Sequence, residues 1–407
     1  MMIPISPPTP KELQEAVWSL YKKWTLHSQH KRMELARHGR EHERLIEVLQ
    51  ALYPQHSFLR FAGWTFPIIS LGIAPSQRLD PESILGTLEE DRIAHVDGEL
   101  DSAGGRYVEM LQLMGRPLRN LPTYCLAGLQ QGGDLKLNCV IGRYLDALRS
   151  CDVLEWELLT DLHHLRSGDD IDTYLRKHLR LRQHVHRLCR FYDPVTHFAG
   201  RSAALSVSTL VLFNRGKDYA VIIGERSADA VAVHGDLYHV VPSGMFQPSV
   251  GQLRDEYSIL HCVLREYLEE LFSSSEAQSS PAAISHEFFY RDPNIQLLRR
   301  FLDSGEAALY LTGFVVNALN LRPEICTLLH IRTPEWYSIH KSGIAPAQRI
   351  ELNEEFKKPE DKVAGRANVV PIDRILAFGI RPQNVVPPGA AAIALGLETA
   401  TALRLRS

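Results

Sequence analysis

The strongest constraint on the fold lies in the middle of the chain. Residues 204–214 read ALSVSTLVLFN and residues 218–227 read DYAVIIGERS, with Arg215-Gly216-Lys217 between them. Two β-branched runs of strand length joined by a short polar turn are a hairpin signal, and they exclude an all-helical bundle. YHVVP at residues 238–242 and the apolar runs at 308–316 and 325–331 extend the pattern to further strands. A helical segment at 250–272 and a Gly/Ala-rich closing helix from Gly389 are interspersed among them. Strands and helices alternate here without a regular βαβ rhythm. That order predicts an α+β fold, with a mixed sheet flanked by helices, over residues 201–407.

The first 200 residues read differently. Leu13, Val17, Leu20 and Trp24 keep helical spacing after Thr9-Pro10, as do Leu45, Val48, Leu49 and Leu52. A mainly helical extension is expected over residues 1–200, with a dimerising or regulatory role. Gly104-Gly105 and Gly132-Gly133 read as turns, LKLNCVIGRYLDAL as a strand running into a helix, and residues 170–191 as a helical stretch. His178, His184 and His186 lie in that stretch, but His184 and His186 are two apart and cannot share a helix face. His163-His164 likewise lacks ligand spacing, so no metal is expected from the histidines.

Composition narrows the function classes. With 407 residues, 45% hydrophobic, the chain is long enough for two or three domains with their own cores. A formal charge of −3, from 45 Lys+Arg against 48 Asp+Glu, argues against a nucleic-acid partner. Six dispersed cysteines without a C-x-x-C pair read as reduced thiols. The start MMIPISPPTPKELQ lacks a signal-peptide pattern, and no apolar run is long enough to span a bilayer. A cytoplasmic protein with no membrane partner is expected. P-loop, dinucleotide-fold, zincin and nucleophile-elbow motifs are absent from the sequence.

One helix carries chemistry. At about 100° per residue, with Glu266 at zero, Glu269 falls at about 300°, Glu270 at about 40° and Arg265 at about 260°. Leu253, Leu260, Leu264, Leu268 and Leu271 occupy the opposite side. The helix therefore buries a leucine face and gathers three carboxylates on the other. Like charges at i, i+3 and i+4 repel by a few tenths of a kcal/mol per pair in an isolated helix. Three oxygen donors on a rigid element suit a hard divalent cation such as Mg²⁺. A plainly solvated acidic face is the alternative.

The run Arg265-Glu266-Tyr267-Leu268-Glu269-Glu270 resembles the R-E-aliphatic-x-E-E core of the Nudix hydrolase signature. Val241-Pro242-Ser243-Gly244 is similar to the L-P-G-G turn that opens that signature, and the strand ending Gly224-Glu225-Arg226 is similar to the family strand before it. The loop from Gly244 to the helix is longer than the family's, Glu256 stands only loosely in place of the signature's first glutamate, and Phe272 replaces its closing glycine.

The resemblance implies a Nudix-like α/β/α sandwich that hydrolyses a phosphoanhydride in a nucleoside diphosphate derivative. Mg²⁺ or Mn²⁺ would be held by Glu266, Glu269 and Glu270, with Arg265 orienting them. Gly244 would bring the backbone close to the phosphates, and Arg226 and Glu324 would contact substrate. Glu351, Glu354 and Glu355 are candidates for the general base. A nucleotide-derived small molecule is the implied partner, and a homodimer is expected. A nucleotide-sensing module with little turnover is the second reading, and a structural interaction protein the third.

Overall fold

The computed structural model describes residues 40–130, 133–165, 168–227, 231, 233–249, 253–272, 289–342, 348–356 and 368–405. The helix expected around Leu13, Val17, Leu20 and Trp24 lies outside them, as does the small-residue run at 273–281.

The main sheet is built around the predicted hairpin. Strands β1 (Phe58–Phe61), β2 (Trp64–Leu71), β6 (Ser206–Asn214), β7 (Tyr219–Glu225), β10 (Ala307–Asn317), β11 (Arg322–Ile331) and β12 (Asn368–Pro371) run in the order β1-β2-β10-β11-β6-β7-β12. Short strands β8 (Tyr238–Val240) and β9 (Ser243–Met245) pair with β7 and β6. β11 and β6 are parallel and the other pairings antiparallel, so the sheet is mixed as expected.

Side-chain alternation along β6 explains the layers. Val207, Val211 and Phe213 point into a core shared with Leu264, Phe301 and Trp336, which belong to helices Ile259–Leu271, Pro293–Asp303 and Pro334–Ser342. Leu210 and Leu212 point the other way, against Ala390, Ile393 and Leu397 of the closing helix Pro387–Ala402. A strand buried on both faces reads as a continuous apolar run, and ALSVSTLVLFN does.

Within the described part of the first 200 residues, helices alternate with five strands. β1 and β2 belong to the main sheet, where β2 pairs with β10. β3 (Leu85–Ile93), β4 (Pro122–Gln130) and β5 (Lys136–Arg143) form a second sheet in the order β3-β5-β4. β4 is tied to the start of β6 through Leu126 N–H to the Ala203 carbonyl (2.9 Å) and Leu205 N–H to the Tyr124 carbonyl (2.9 Å). Sheet hydrogen bonding thus crosses the boundary expected at residue 200, and the described part of the extension is mixed rather than mainly helical. The physical reason is a pairing edge on β10, which WTFPIISL fills from more than 200 positions upstream, with FLRF added outside it on β2.

The longer helices among the described residues of this half are α1 (Arg40–Leu52), α2 (Gly98–Leu113), α3 (Val153–Asp161), α4 (Ile171–His178) and α5 (Arg180–Cys189), so the stretch at 170–191 is two helices broken at Leu179. They share a core with Val316, Leu319 and Leu321 at the β10–β11 turn. Gly104-Gly105 lies inside α2 rather than in a turn. A Cβ at Gly104 would collide with the Arg149 backbone, so the glycine serves close approach. In chain order, the next helices are α6 (Ile259–Leu271), α7 (Pro293–Asp303), α8 (Pro334–Ser342) and α9 (Pro387–Ala402). Among the described residues, no helix is long and apolar enough to cross a membrane. The six cysteines are free and buried.

The α8 end of the core holds a pH-sensitive group. His340 is buried between Trp336 and Phe272, with Nδ1 2.5 Å from the Gln348 carbonyl oxygen and Nε2 without a hydrogen-bond partner among the described residues. Burial pushes its imidazole down to about 4, against a smaller upward pull from the Gln348 carbonyl. The unfolded chain therefore takes up this proton first, and stability is lost as pH falls from 6.5 through the folded value. Between pH 7 and 4, wild type should lose roughly 3 kcal/mol relative to His340→Leu, at about 1.4 kcal/mol per pH unit. Urea melts at both pH values test this; parallel losses in the two proteins would refute it.

Candidate functional site

Helix α6 is fixed at both ends by other parts of the chain. Ser258 caps it, accepting the His261 N–H at 3.1 Å. Glu82, from the N-terminal half, accepts from Ile259 N–H (3.1 Å), Leu260 N–H (2.7 Å) and Ser258 Oγ (3.0 Å). A carboxylate at a helix N-terminus satisfies orphan donors and complements the helix dipole. At the other end, Glu351 N–H and Asn353 N–H donate to the Leu271 and Glu270 carbonyls (2.9 and 3.1 Å). The helix begins at Ile259 rather than near Val250, because Glu256 is drawn back into the preceding loop. Glu256 is buried and accepts from the N–H and Oγ of Ser249 at 2.5 and 2.6 Å. Ile259, the first helical residue, is already about 10 Å along the axis from Glu266.

The leucine face is buried as expected, and so is the acidic face. Glu266 and Glu270 are 8% and 2% exposed, and Glu269 is half-buried. The loop opening at Val241 and the segment 351–356 cover them. Ser243 N–H donates to Glu270 Oε2 at 2.7 Å. Arg265 reaches Glu266 Oε1 at 2.8 Å, lies 3.9 Å from Glu269 Oε2, and donates to the Met245 carbonyl at 3.0 Å. A solvated acidic face is thus not what this helix carries.

Gly244 sits directly over Glu266. A Cβ there would overlap the Glu266 carboxylate, so any larger residue would have to displace that side chain. The close approach at Gly244 is made to a carboxylate of the cluster.

The electrostatics are those of an under-neutralised anion cluster. Burial raises the Glu266 carboxyl to about 8, with Arg265 pulling it down and Glu269 and Glu355 pushing it up. Burial also raises Glu269, and it lifts Glu270 well above the carboxylate range, helped by Glu266 and Glu355. Ser243 Oγ and Arg265 Nε are buried with no hydrogen-bond partner among the described residues. Like-charged buried oxygens with too few cations fit a bound divalent ion, the donor set that Mg²⁺ or Mn²⁺ takes.

The flanking candidates converge on the same place. Glu355 acts electrostatically on all three helix glutamates and lies 3.9 Å from Arg226 Nη2. Arg226 forms an isolated bridge with Phe356, and Ser227 N–H donates to the Glu355 carbonyl at 2.7 Å, which places Arg226 beside the glutamates. Glu354 is exposed, and Glu351 contributes its backbone to the helix end. Of the three base candidates, Glu355 is the one joined to the cluster. Glu324 is paired across β6 in the row Glu324–Ser206–Met245 and accepts from Ser208 Oγ at 2.5 Å. Burial raises its carboxyl to about 7, against Ser208, Arg322 and Arg226.

Two contributors had no signal in the sequence. Arg119, exposed in the N-terminal half, lies within electrostatic reach of Glu269. Arg322 is half-buried, with Nη1 3.5 Å from Asp152 and Nη2 donating to Ser206 Oγ (3.1 Å) and Met245 Sδ (2.8 Å). Lone arginines flanked by ordinary turn residues carry no pattern that marks such roles.

A different set of side chains converges at the ends of α3 and α4. Asp161, His164 and His178 place one ligand atom each within 4.8 Å of one another. Sequence spacing alone offers no ligand set among the histidines, but folding brings His164 and His178 to one aspartate. His184 and His186 are not part of it; His184 pairs with Asp97 at 2.7 Å and His186 stacks on Tyr53. Compared with known proteins, the chain matches no family model and no curated protein.

Proposed function

We propose that the chain is a divalent-metal-dependent hydrolase of the Nudix type, cleaving a phosphoanhydride in a nucleoside diphosphate derivative. The observation that carries this reading is the gathering of buried Glu266 and Glu270 and half-buried Glu269 on one helix face, with Arg265 as the direct ion-pair partner of Glu266 and Glu269 among the described residues. Desolvating three carboxylates without a matching number of cations costs folding energy, and a metal-dependent activity gives that cost a purpose.

Glu266, Glu269 and Glu270 would hold Mg²⁺ or Mn²⁺, which supplies positive charge where phosphoryl oxygens gain negative charge. Arg265 keeps Glu266 and Glu269 oriented while anchored to the Met245 carbonyl. Glu355, the base candidate that acts electrostatically on the three glutamates, would accept a proton from the attacking water. Arg226 beside it binds a substrate phosphate, and Gly244 keeps the floor of the site open. Glu324 lines the sheet side. Substrate specificity in such an arrangement resides in the surrounding loops rather than in the acidic helix.

The nucleotide-sensing reading has one observation in its favour. The long loop between Gly244 and α6 is held by the N-terminal half, with Arg254 2.6 Å from Glu90 and Tyr124 Oη donating to the Leu253 carbonyl at 2.6 Å. Movement in that half would be felt at the site.

A panel of nucleoside diphosphate derivatives with Mg²⁺ or Mn²⁺ separates the readings, run on wild type beside Glu269→Gln. Metal-dependent cleavage, lost in the variant, is the expected result. Tight nucleotide binding without turnover in any metal would replace the enzyme by the sensor.

A further inference from the structure

We propose that Asp161, His164 and His178 form a second metal site, for a borderline divalent transition ion of the zinc class, separate from the glutamates of α6. Asp161 ends α3, His164 closes the helical turn Leu162–His164 that follows it, and His178 ends α4. Asp161 and His164 are three apart, so a helical turn sets both on one side. α4 then returns His178 to the same point.

The arrangement is a built one. The rings of His164 and His178 are stacked at 4.9 Å, and Tyr174 also stacks on His178, at 5.1 Å, which holds that imidazole in orientation. Tyr174 is buried in the helical core, so the ring that orients His178 is itself fixed. Asp161 and His178 are half-buried and His164 is exposed, so the site is open to solvent on one side. His178 also lies at a helix C-terminus, where unsatisfied carbonyls favour a positive charge.

The donor set selects the ion. Two imidazoles and one carboxylate suit zinc and its first-row neighbours, whereas Mg²⁺ prefers oxygen ligands in an octahedron. Tetrahedral bonds of about 2.0–2.1 Å put ligand atoms roughly 3.3 Å apart, so atoms now within 4.8 Å need close by no more than about 1.5 Å. Side-chain rotation supplies a movement of that size. Three protein ligands leave a fourth position for water. Chelation would tie the end of α3 to the end of α4.

The test uses the full, untagged chain after chelator treatment, titrated with Co²⁺ and then Zn²⁺. Wild type should bind one Co²⁺ with the visible absorption of a tetrahedral site, and Zn²⁺ should displace it. His164→Ala, at an exposed position, and His178→Ala should each weaken Zn²⁺ binding by about a hundredfold or more, with circular dichroism unchanged in His164→Ala. Glu269→Gln should retain the site, which separates it from the acidic helix. A Co²⁺ spectrum and Zn²⁺ stoichiometry unaltered in His164→Ala, or the absence of micromolar binding to wild type, would overturn the proposal.

Discussion

Glu270→Gln should make the metal-free protein more stable and the metal-loaded protein inactive. Glu270 is 2% exposed, and its carboxyl is lifted well above the ordinary range by burial first, then by Glu266 and Glu355. A raised folded value means the native state holds its proton longer than the unfolded chain does. Stability is therefore present at low pH and drains away as pH rises past the carboxylate range. Glutamine keeps an oxygen for the Ser243 N–H and cannot ionise. At neutral pH without metal, the variant should gain about 1 kcal/mol or more, since it escapes the ionisation of Glu270 that favours the unfolded chain.

Turnover should fall by about a hundredfold or more, because several kcal/mol of charge stabilisation are lost at about 1.4 kcal/mol per tenfold in rate. Mg²⁺ or Mn²⁺ should raise the Tm of wild type and leave that of Glu270→Gln nearly unmoved. Thermal melts with and without metal, together with a cleavage assay, read all three effects. A variant that is less stable than wild type without metal would remove the argument that these carboxylates are under-neutralised.

The second large effect is expected at Arg322. Its guanidinium joins Asp152 in the N-terminal half to Ser206 and Met245 in the main sheet, and Met245 also accepts a hydrogen bond from Arg265. Asp152 is 1% exposed, and burial raises its carboxyl while Arg322 counteracts that. Arg322→Met fills similar volume but leaves this buried carboxylate without its ion-pair partner. A loss of about 3–5 kcal/mol follows from breaking a buried pair on one side.

Adding Asp152→Asn should restore a good part of the loss, since the stranded charge is then gone. Chemical denaturation of the two single variants and the double variant closes the cycle. Additive losses would show that Arg322 acts through packing and not through the pair.

Local pattern made much of the architecture readable in the sequence. The period-two and β-branched runs at 204–227, 308–316 and 325–331 correspond to β6, β7, β10 and β11 because strand signals are carried by adjacent residues. The shared face of Glu266, Glu269 and Glu270 followed from helical periodicity alone. Other features depend on residues far apart in the chain. The fit of β2 against β10, the return of Glu355 to the acidic helix and the meeting of Asp161 with His178 have no local signature. Gly104 inside α2 shows the same limit, since its close approach is made to Arg149 rather than to a neighbour in sequence.

What the sequence by itself determined is the mixed α/β character of residues 201–407 and one helix that sorts leucines from acids. Both rest on periodicity, which is a property of neighbouring residues. Only the tertiary structure decided that the acidic face is covered. The wheel gives a direction to each side chain, but it cannot say what lies in that direction. Here β9 and the segment 351–356 close over the carboxylates, so their charges leave water. Burial, not the presence of three glutamates, turns a face that could have been ordinary surface into a candidate metal centre.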